Sequence, residues 1–551
     1  MAVISLNKKE IIKITGKIKD EELDETLSLF GTPVEKITES EIEIEVAPNR
    51  PDMLSQQGLQ RALKSYLKKE TGLKKYKINR PEKNYDVKID SSVKDIRPFT
   101  VCAIIKTLSL NDEKIKEIID LQEKLHSTIG RNRRKVAIGI YPLEKITLPI
   151  SYKAEKPEKI KFIPLDYDKE ISAPEILKKH PTGKTYAPLL KNLNLFPIFI
   201  DANSKILSMP PIINSEETGR VSEKTKEVFI ECSGSHLETL NKTLNIIVTA
   251  LADLGGEIYS MNLHYGSKLS QSPDLTPEKI KISPENINKL LGINLKERDI
   301  ERLLPLMGCE YKNKTVYIPA WRTDILHEVD IIEDIAIAYG YNNLIPEVPK
   351  ISTIGEESEE SRFYSKIASL SAGLGITEIS SYHLIKQREA EISKLEKKIE
   401  VENSKTEYKI LRPNLLIPAL RILSENKDND YPQKIFEIGT VFSNTDEEDS
   451  ETGVKENENL LIAISPGNFT NIKQILNYLT SSLKIKLELK EEINKSLIEG
   501  RTASINLNGK KIGYLGELHP ETLHAWTIKM PVSVLEISLD EIFRLFNPQK
   551  R

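Results

Sequence analysis

Two stretches of this chain repeat one another, and a chain that carries the same unit twice has to be read as modular. The first runs "ITGKIKDEELDETLSLFGTPVEK" into "IEIEVAPNRPDMLSQQGLQRALKSYL". The second runs "LLGINLKERDIERLLPLMGCEYK" into "VYIPAWRTDILHEVDIIEDIAIAYGY". Each reads as helix, short helix, strand, an Arg-x-Asp-x-Leu turn and a closing helix. Aligning Arg50 with Arg322 and Asp52 with Asp324 sets Gly58, Arg61 and Ala62 opposite Asp330, Glu333 and Asp334. The unit is thus written once without acids on its last helix and once with a cluster of them, which is an internal control.

With 551 residues the chain has length for about three to five domains. Breaks fall at the charged link Lys68 to Asp86, at the Ser/Pro/Gly-rich stretch Gly266 to Lys279, and at the proline-containing polar run Ile345 to Ser361. They divide the chain into segments 1–80, 88–268, 272–348 and 352–551. Lys and Arg number 79 against 82 Asp and Glu, for a net charge of −3, so a polyanion would have to be held by local patches. Three cysteines, Cys102, Cys232 and Cys309, stand too far apart for a CxxC pair and fit a reducing, cytoplasmic setting. The N-terminus lacks an apolar core and no run of 18 apolar residues occurs, so neither secretion nor a membrane span is expected.

On the closing helix of the second copy, Asp330, Glu333 and Asp334 share one face at i, i+3 and i+4, with Val329, Ile332, Ala336 and Tyr339 assigned to the opposing core face. One reading is a solvated acidic face favoured by the helix N-terminus. The other is an oxygen-only site for a hard divalent cation, since like charges so close repel unless neutralised. Asp324 is open to both roles, because Asp52 matches it in the acid-free copy and an Arg-x-Asp pair can simply order a turn. Neither closing helix is basic, which argues against DNA binding by these helix-turn-helix units and for packing and partner roles. "GRNRRKVAIG" gathers Arg131, Arg133, Arg134 and Lys135 before an apolar strand, as a phosphate-holding patch or as a solvated turn.

These segments, together with "RRKVAIGIYPLEKI", "LSMPPIINSEETG" and "PQKIFEIGTVF", closely resemble the beta subunit of phenylalanyl-tRNA synthetase in its archaeal and eukaryotic form, in order and over nearly the whole chain. The resemblance implies a multidomain α+β fold. It comprises two helix-turn-helix (winged-helix-like) B1 and B5 units, an α+β B3/B4 editing domain, and a degenerate class II synthetase antiparallel-sheet domain. It implies a magnesium site formed by Asp324, Asp330, Glu333 and Asp334 and shared with the alpha subunit. Magnesium normally keeps several waters, so some of the four would act through water.

For the editing domain the resemblance implies hydrolysis of tyrosine wrongly esterified to tRNA(Phe). A pocket built for phenylalanine rejects a side chain one hydroxyl larger by only about a hundredfold. The site is placed around "LSMPPIINS" and "FIECSGSH", with Ser208, Asn214, Glu231 and Ser233 as the polar groups; for each, a capping or turn hydrogen bond is the structural alternative. With no nucleophile triad at recognisable spacing, attack by water is expected, and His236 alone decides nothing. In the C-terminal segment Arg412 is present in "ILRPNLL", but no GxGxxR-like stretch follows. That segment is expected not to bind ATP for amino-acid activation but to pair with the catalytic alpha subunit, with Arg412 and Asn414 in packing or interface roles. An alpha2beta2 heterotetramer acting on tRNA(Phe) is what the family implies. The short link after the first unit and the few residues after Phe546 leave tRNA contact to the alpha chain or the editing domain. Rival readings are a stand-alone tRNA-editing hydrolase and a nucleic-acid-binding scaffold.

Overall fold

The structure is a computed structural model and describes residues 2–16, 18–348, 353–445 and 453–546. The chain divides into two compact units, Met1–Val348 and Pro349–Arg551. Among the described residues no helix is long and apolar enough to cross a membrane.

Both repeat copies have one element order. In the first copy a strand Ala2–Asn7 precedes helices Lys8–Thr15 and Asp20–Phe30, a hairpin of Val34–Ile37 and Glu41–Val46, and the closing helix Gln56–Tyr66. In the second, strand Glu278–Lys281 precedes helices Pro284–Leu291 and Glu297–Leu303, the hairpin Glu310–Lys312 and Thr315–Ile318, and helix Glu328–Tyr339. Among the described residues each copy has a three-stranded sheet with the strand before the Arg-x-Asp turn in the middle. The left-handed glycines Gly31 and Gly308, at φ +96° and +74°, end corresponding helical segments, a conformation that a side chain at either position would strain. The copies also touch: the Thr323 hydroxyl donates to the Asn49 carbonyl at 3.1 Å and Gly72 N–H to the Pro305 carbonyl at 2.7 Å.

The segment between the copies forms a sheet of eleven strands among the described residues. Its main path runs Ile213–Asn214, Ile206–Met209, Phe196–Ile200, Ile150–Glu155, Asp86–Ile89, Glu257–Tyr265, Phe99–Lys106, Val228–Gly234 and Val136–Pro142. The strands at the Val136 end are buried along their length, and helices Asp112–Ser127 and Leu237–Asp253 pack together against Ile140. The link Lys68 to Asp86 ties the first copy to this sheet: Tyr76 and Ile78 pack on the core that runs from Ile4 and Leu63 through Val101 and Leu251 to Met307 and Trp321. Beneath it Asp253 accepts from Arg61 Nη1 at 2.6 Å, Lys74 Nζ at 2.8 Å and Tyr76 Oη at 2.7 Å. The second copy keeps its own core around Ile287, Ile300, Val316 and Ile335. Segments that the sequence separates at Lys68 to Asp86 therefore share packing, because the first copy lays its closing helix against Leu237–Asp253.

The second unit is built on a sheet of seven described strands, in the order Thr377–Glu378, Gln433–Asn444, Val454–Ser465, Ser533–Ser538, Lys510–Leu518, Leu497–Leu507, Glu488–Glu491. It is antiparallel except for the first pair, which is parallel. The run Leu460 to Ile464 sends Leu460, Ile462 and Ile464 to a core under helices Glu359–Gly373 and Phe469–Leu483, and Leu461 and Ala463 to a second core under helix Leu416–Glu425. Both faces of this sheet are covered, which is why the run is apolar without alternation.

Candidate functional site

The two ends of the strand path in the central sheet meet. Tyr141, on Val136–Pro142 at one end, donates through Oη to Asn214 Oδ1 at 3.4 Å, on Ile213–Asn214 at the other, and lies 3.2 Å from Glu231 Oε1. At this seam is a cavity of about 330 Å³ whose lining includes Ser208, Asn214, Glu231, His126, Arg133 and His180. Tyr141 can reach Glu231 because Gly139, directly opposite Glu231 in the ladder, has no side chain: a Cβ there would sit 2.1 Å from Tyr141 Oη.

Ser208 is 1% and Glu231 1% exposed, yet among the described residues Ser208 Oγ and Glu231 Oε2 have no hydrogen-bond partner within bonding geometry. A buried polar atom left this way costs about 1–3 kcal/mol. Burial pushes the Glu231 carboxyl up to about 8; the Tyr141 hydrogen bond, the Arg97 charge and the nearby Ser233 hydroxyl pull it down but do not offset burial. Near neutral pH Glu231 is therefore protonated, and its free oxygen can donate or accept. His126 is spoken for: Nε2 accepts from Ile138 N–H at 2.8 Å, leaving the proton on Nδ1, 3.2 Å from Glu123 Oε1, and burial holds the ring below its ordinary value. His180 accepts from Thr182 N–H at Nδ1 and faces the Leu165 carbonyl through Nε2. Of the four residues expected from the sequence, Ser208, Asn214 and Glu231 come together on the cavity wall. Ser233 does not line it: two residues beyond Glu231 on the same strand, it is fully buried with Oγ unpartnered and its carbonyl accepting from Arg97. His236 is exposed outside the cavity.

Three of the four carboxylates of the acidic cluster are held by donors of this chain. Asp324 is gripped by Arg322, Nε to Oδ1 at 2.8 Å and Nη2 to Oδ2 at 2.6 Å. Asp334 takes the same Nη2 on both oxygens, at 3.1 and 3.0 Å, and is 4% exposed. Asp330 caps its own helix, with Oδ2 accepting from Leu326 N–H and His327 N–H at 2.8 Å each. Glu333 alone is exposed. Among the described residues no group of three or more His, Cys, Asp or Glu is placed to hold a metal ion. Within this chain the cation beside Asp324 and Asp334 is the Arg322 guanidinium, and of the four carboxylates expected at a magnesium site Glu333 is the exposed one. The face assignment also shifts: Asp334 points inward and Val329 is 49% exposed. Burial pushes Asp324 up, but its hydrogen bonds to Arg322 and the charges of Arg322 and Arg50 more than offset that and hold it below its ordinary value; for Asp334 burial wins and the carboxyl is raised. Arg50 pairs with Asp52 in the first copy as Arg322 does with Asp324, and its Nε also lies 3.9 Å from Asp324 Oδ1.

A phenylalanine-tRNA ligase beta subunit from Archaeoglobus fulgidus is 35% identical to this chain over 557 residues, covering 98% of this chain and 99% of that protein. One from Thermococcus sibiricus is 39% identical over 507 residues, 90% of each chain. The chain belongs to the phenylalanine-tRNA ligase beta-subunit family. Family models agree segment by segment: the tRNA synthetase B5 domain matches residues 280–341, and the phenylalanyl tRNA synthetase beta chain CLM domain matches 345–539. The solved N-terminal fragment of the phenylalanyl-tRNA synthetase beta subunit from Pyrococcus horikoshii superposes with a TM-score of 0.58 at 38% identity, covering 61% of this chain and 99% of the fragment. In this beta-subunit family member, Arg412 is buried among partners. Its Nη1 lies 2.7 Å from Glu437 and 2.8 Å from Ser381 Oγ, and its Nε donates to the Thr440 carbonyl at 2.7 Å. Gly439 leaves room for it, since a Cβ there would meet Arg412 Nη2 at 2.5 Å. With its guanidinium so engaged, Arg412 packs the sheet. Asn414 Oδ1 accepts from Ile417 N–H at the start of helix Leu416–Glu425.

Sequence reasoning missed Tyr141, Gly139 and His126. Gly139 within the apolar run "VAIGIYP" was the available signal, since a glycine inside a strand marks a close approach.

Two outcomes follow. Asp334→Ala should destabilise the protein by about 3 kcal/mol, because Arg322 loses a buried partner, whereas Glu333→Ala should stay within about 0.5 kcal/mol. Denaturant unfolding reads both, and chelating magnesium should leave the parent midpoint in place; a magnesium-dependent midpoint abolished by Glu333→Ala would return a metal to the cluster. Tyr141→Phe removes a hydrogen bond that favours the charged form, so Glu231, near 8 in the parent, should titrate higher in carboxyl-resolved NMR.

Proposed function

We propose that this chain is the non-activating, proofreading subunit of a phenylalanine-tRNA ligase, and that the seam cavity hydrolyses tyrosine wrongly attached to tRNA(Phe). The observation that carries the reading is the pair of buried oxygens, Ser208 Oγ and Glu231 Oε2, unpartnered among the described residues and belonging to two residues that line a cavity of about 330 Å³. A phenol hydroxyl entering there gives Glu231 the partner it lacks. A phenylalanyl ring leaves that oxygen desolvated and unpaired, so preference here runs opposite to that of the charging pocket, as a second sieve requires. Asn214, joined to Glu231 through the Tyr141 hydroxyl, presents its amide to the ester end of the substrate. The ring nitrogens of His126 and His180 are committed to backbone and Glu123 contacts, which leaves Ser208 without a base. Water is therefore the nucleophile, and no acyl-enzyme forms. Ser233 acts from behind the wall, holding the strand that carries Glu231.

Activation of phenylalanine falls to an alpha partner, in an alpha2beta2 assembly of the cytoplasm. The engagement of Arg412 by Glu437, Ser381 and Thr440 supports that division, because an arginine so engaged is not free to meet a nucleotide phosphate. Magnesium enters this scheme with the ATP phosphates at the partner's site, where it keeps its waters and few carboxylates.

The test uses the complex with its alpha partner. Asn214→Ala should let tyrosyl-tRNA(Phe) accumulate while phenylalanine charging persists. Unchanged deacylation by this variant would remove Asn214 from the site and take the reading with it.

A further inference from the structure

The turn Gly130 to Lys135, between helix Asp112–Ser127 and strand Val136–Pro142, contains three consecutive non-glycine residues in left-handed conformation: Arg131, Asn132 and Arg133, at φ +47°, +52° and +65°. Outside glycine this conformation costs about 1 kcal/mol or more per residue, least for asparagine. The strain is held in place from both sides. Gly130, Arg131 and Arg133 donate their N–H groups to the carbonyls of Leu125, Thr128 and His126, spare acceptors at the end of the helix. From beneath, the buried Arg97 guanidinium donates through Nη1 to the carbonyls of Arg133 and Arg134 at 3.3 Å each, and through Nη2 to the Ser233 carbonyl on the strand of Glu231. The turn is thereby fastened to the wall of the cavity.

Its side chains then divide. Arg133 turns inward onto the cavity lining, with Nη1 on the Ile212 carbonyl at 2.8 Å, Nη2 on Glu123 at 2.9 Å, and its guanidinium 4.4 Å from the centre of the Tyr186 ring. Arg131 and Arg134 are exposed, and among the described residues neither side chain makes a hydrogen bond or an ion pair. Two exposed guanidiniums on the turn whose Arg133 lines the cavity, on backbone that three glycines would hold with less strain, are arranged for something outside the molecule. With a net charge of −3 the chain as a whole does not draw a polyanion, so a local patch has to.

We infer that Arg131 and Arg134 form the rim on which the phosphodiester backbone of a single-stranded RNA end docks while its terminal aminoacyl group enters the cavity. This rests on the proofreading reading of that cavity. Guanidinium forks suit phosphate oxygens, and a fixed turn spares the entropy of ordering them. The competing explanation is that the arginines only complement the helix C-terminus, a stabilising effect of about 0.3–1 kcal/mol that would leave substrate affinity untouched.

The experiment compares the parent complex with the double variant Arg131→Ala, Arg134→Ala on two substrates: tyrosyl-tRNA(Phe), and 3′-O-tyrosyl-adenosine, which has the ester but no phosphate. The expected result is a KM for the tRNA raised about tenfold with kcat unchanged, and a log(kcat/KM) against log salt slope shallower by about 1.4. Hydrolysis of the adenosine ester should be unaffected. Unchanged KM and salt slope on an active parent overturn the rim, as does an equal loss on both substrates, which would make the turn a support of the cavity. A parent inactive on both substrates overturns the proofreading reading itself.

Discussion

Removing an ionisable side chain from water costs several kcal/mol unless the protein answers it with partners, and the buried charges of this chain differ in how fully they are answered. Arg322 meets Asp324 and Asp334 with short bonds to both, and the second repeat folds around that knot. Arg412 meets Glu437, Ser381 and Thr440. Glu536 accepts from Leu415 N–H at 3.0 Å, Asn459 at 2.9 Å and Tyr514 Oη at 2.9 Å. Each of these sites is satisfied and therefore structural. Glu231 accepts from Tyr141 on one oxygen; its other oxygen is buried without a hydrogen-bond partner among the described residues, in a residue that lines the cavity.

The same constraint explains where the cavity lies. A sheet whose path ends are far apart in sequence, at Val136–Pro142 and Ile213–Asn214, brings them together only through side chains, and Tyr141 makes that contact. Gly139 clears the space for the ring, Arg97 links the following strand to the basic turn, and Arg133 ties the turn to Ile212 and Glu123 across the opening. Walls from several distant segments meet at one seam, including Gln122, Glu123 and His126 of helix Asp112–Ser127. The repeat copies contribute packing: Arg61 from the first lies 4.5 Å from the ring of Trp321 in the second, and both adjoin the central core.

Much of this was legible in the sequence. The repeat, with its Arg-x-Asp turns and its contrasting closing helices, appears in the structure as two units of one element order and one sheet order. Strands such as Glu278–Lys281 and Glu310–Lys312 were not legible, because three or four mostly charged residues give no alternating signal. The acidic helix was misread for a definite reason. Periodicity places Asp334 with Asp330 and Glu333, but a buried guanidinium from a preceding turn makes an inward carboxylate favourable, and helix period alone does not reveal that partner. Ser208, Asn214 and Glu231 were singled out through family resemblance, and the structure gathers them on one cavity lining; Tyr141 reads as core in any apolar strand, and only the meeting of the sheet's ends gives its hydroxyl a task.

The central claim is that Glu231 distinguishes a side chain bearing a hydroxyl from one without. Non-hydrolysable 3′-tyrosylamido-adenosine and 3′-phenylalanylamido-adenosine, titrated calorimetrically into the alpha-beta complex with the synthetic site saturated by phenylalanyl-adenylate analogue, measure this most directly. The account predicts that the tyrosyl compound binds about tenfold or more tightly and that Glu231→Ala abolishes the difference. Equal affinities in the parent would contradict it.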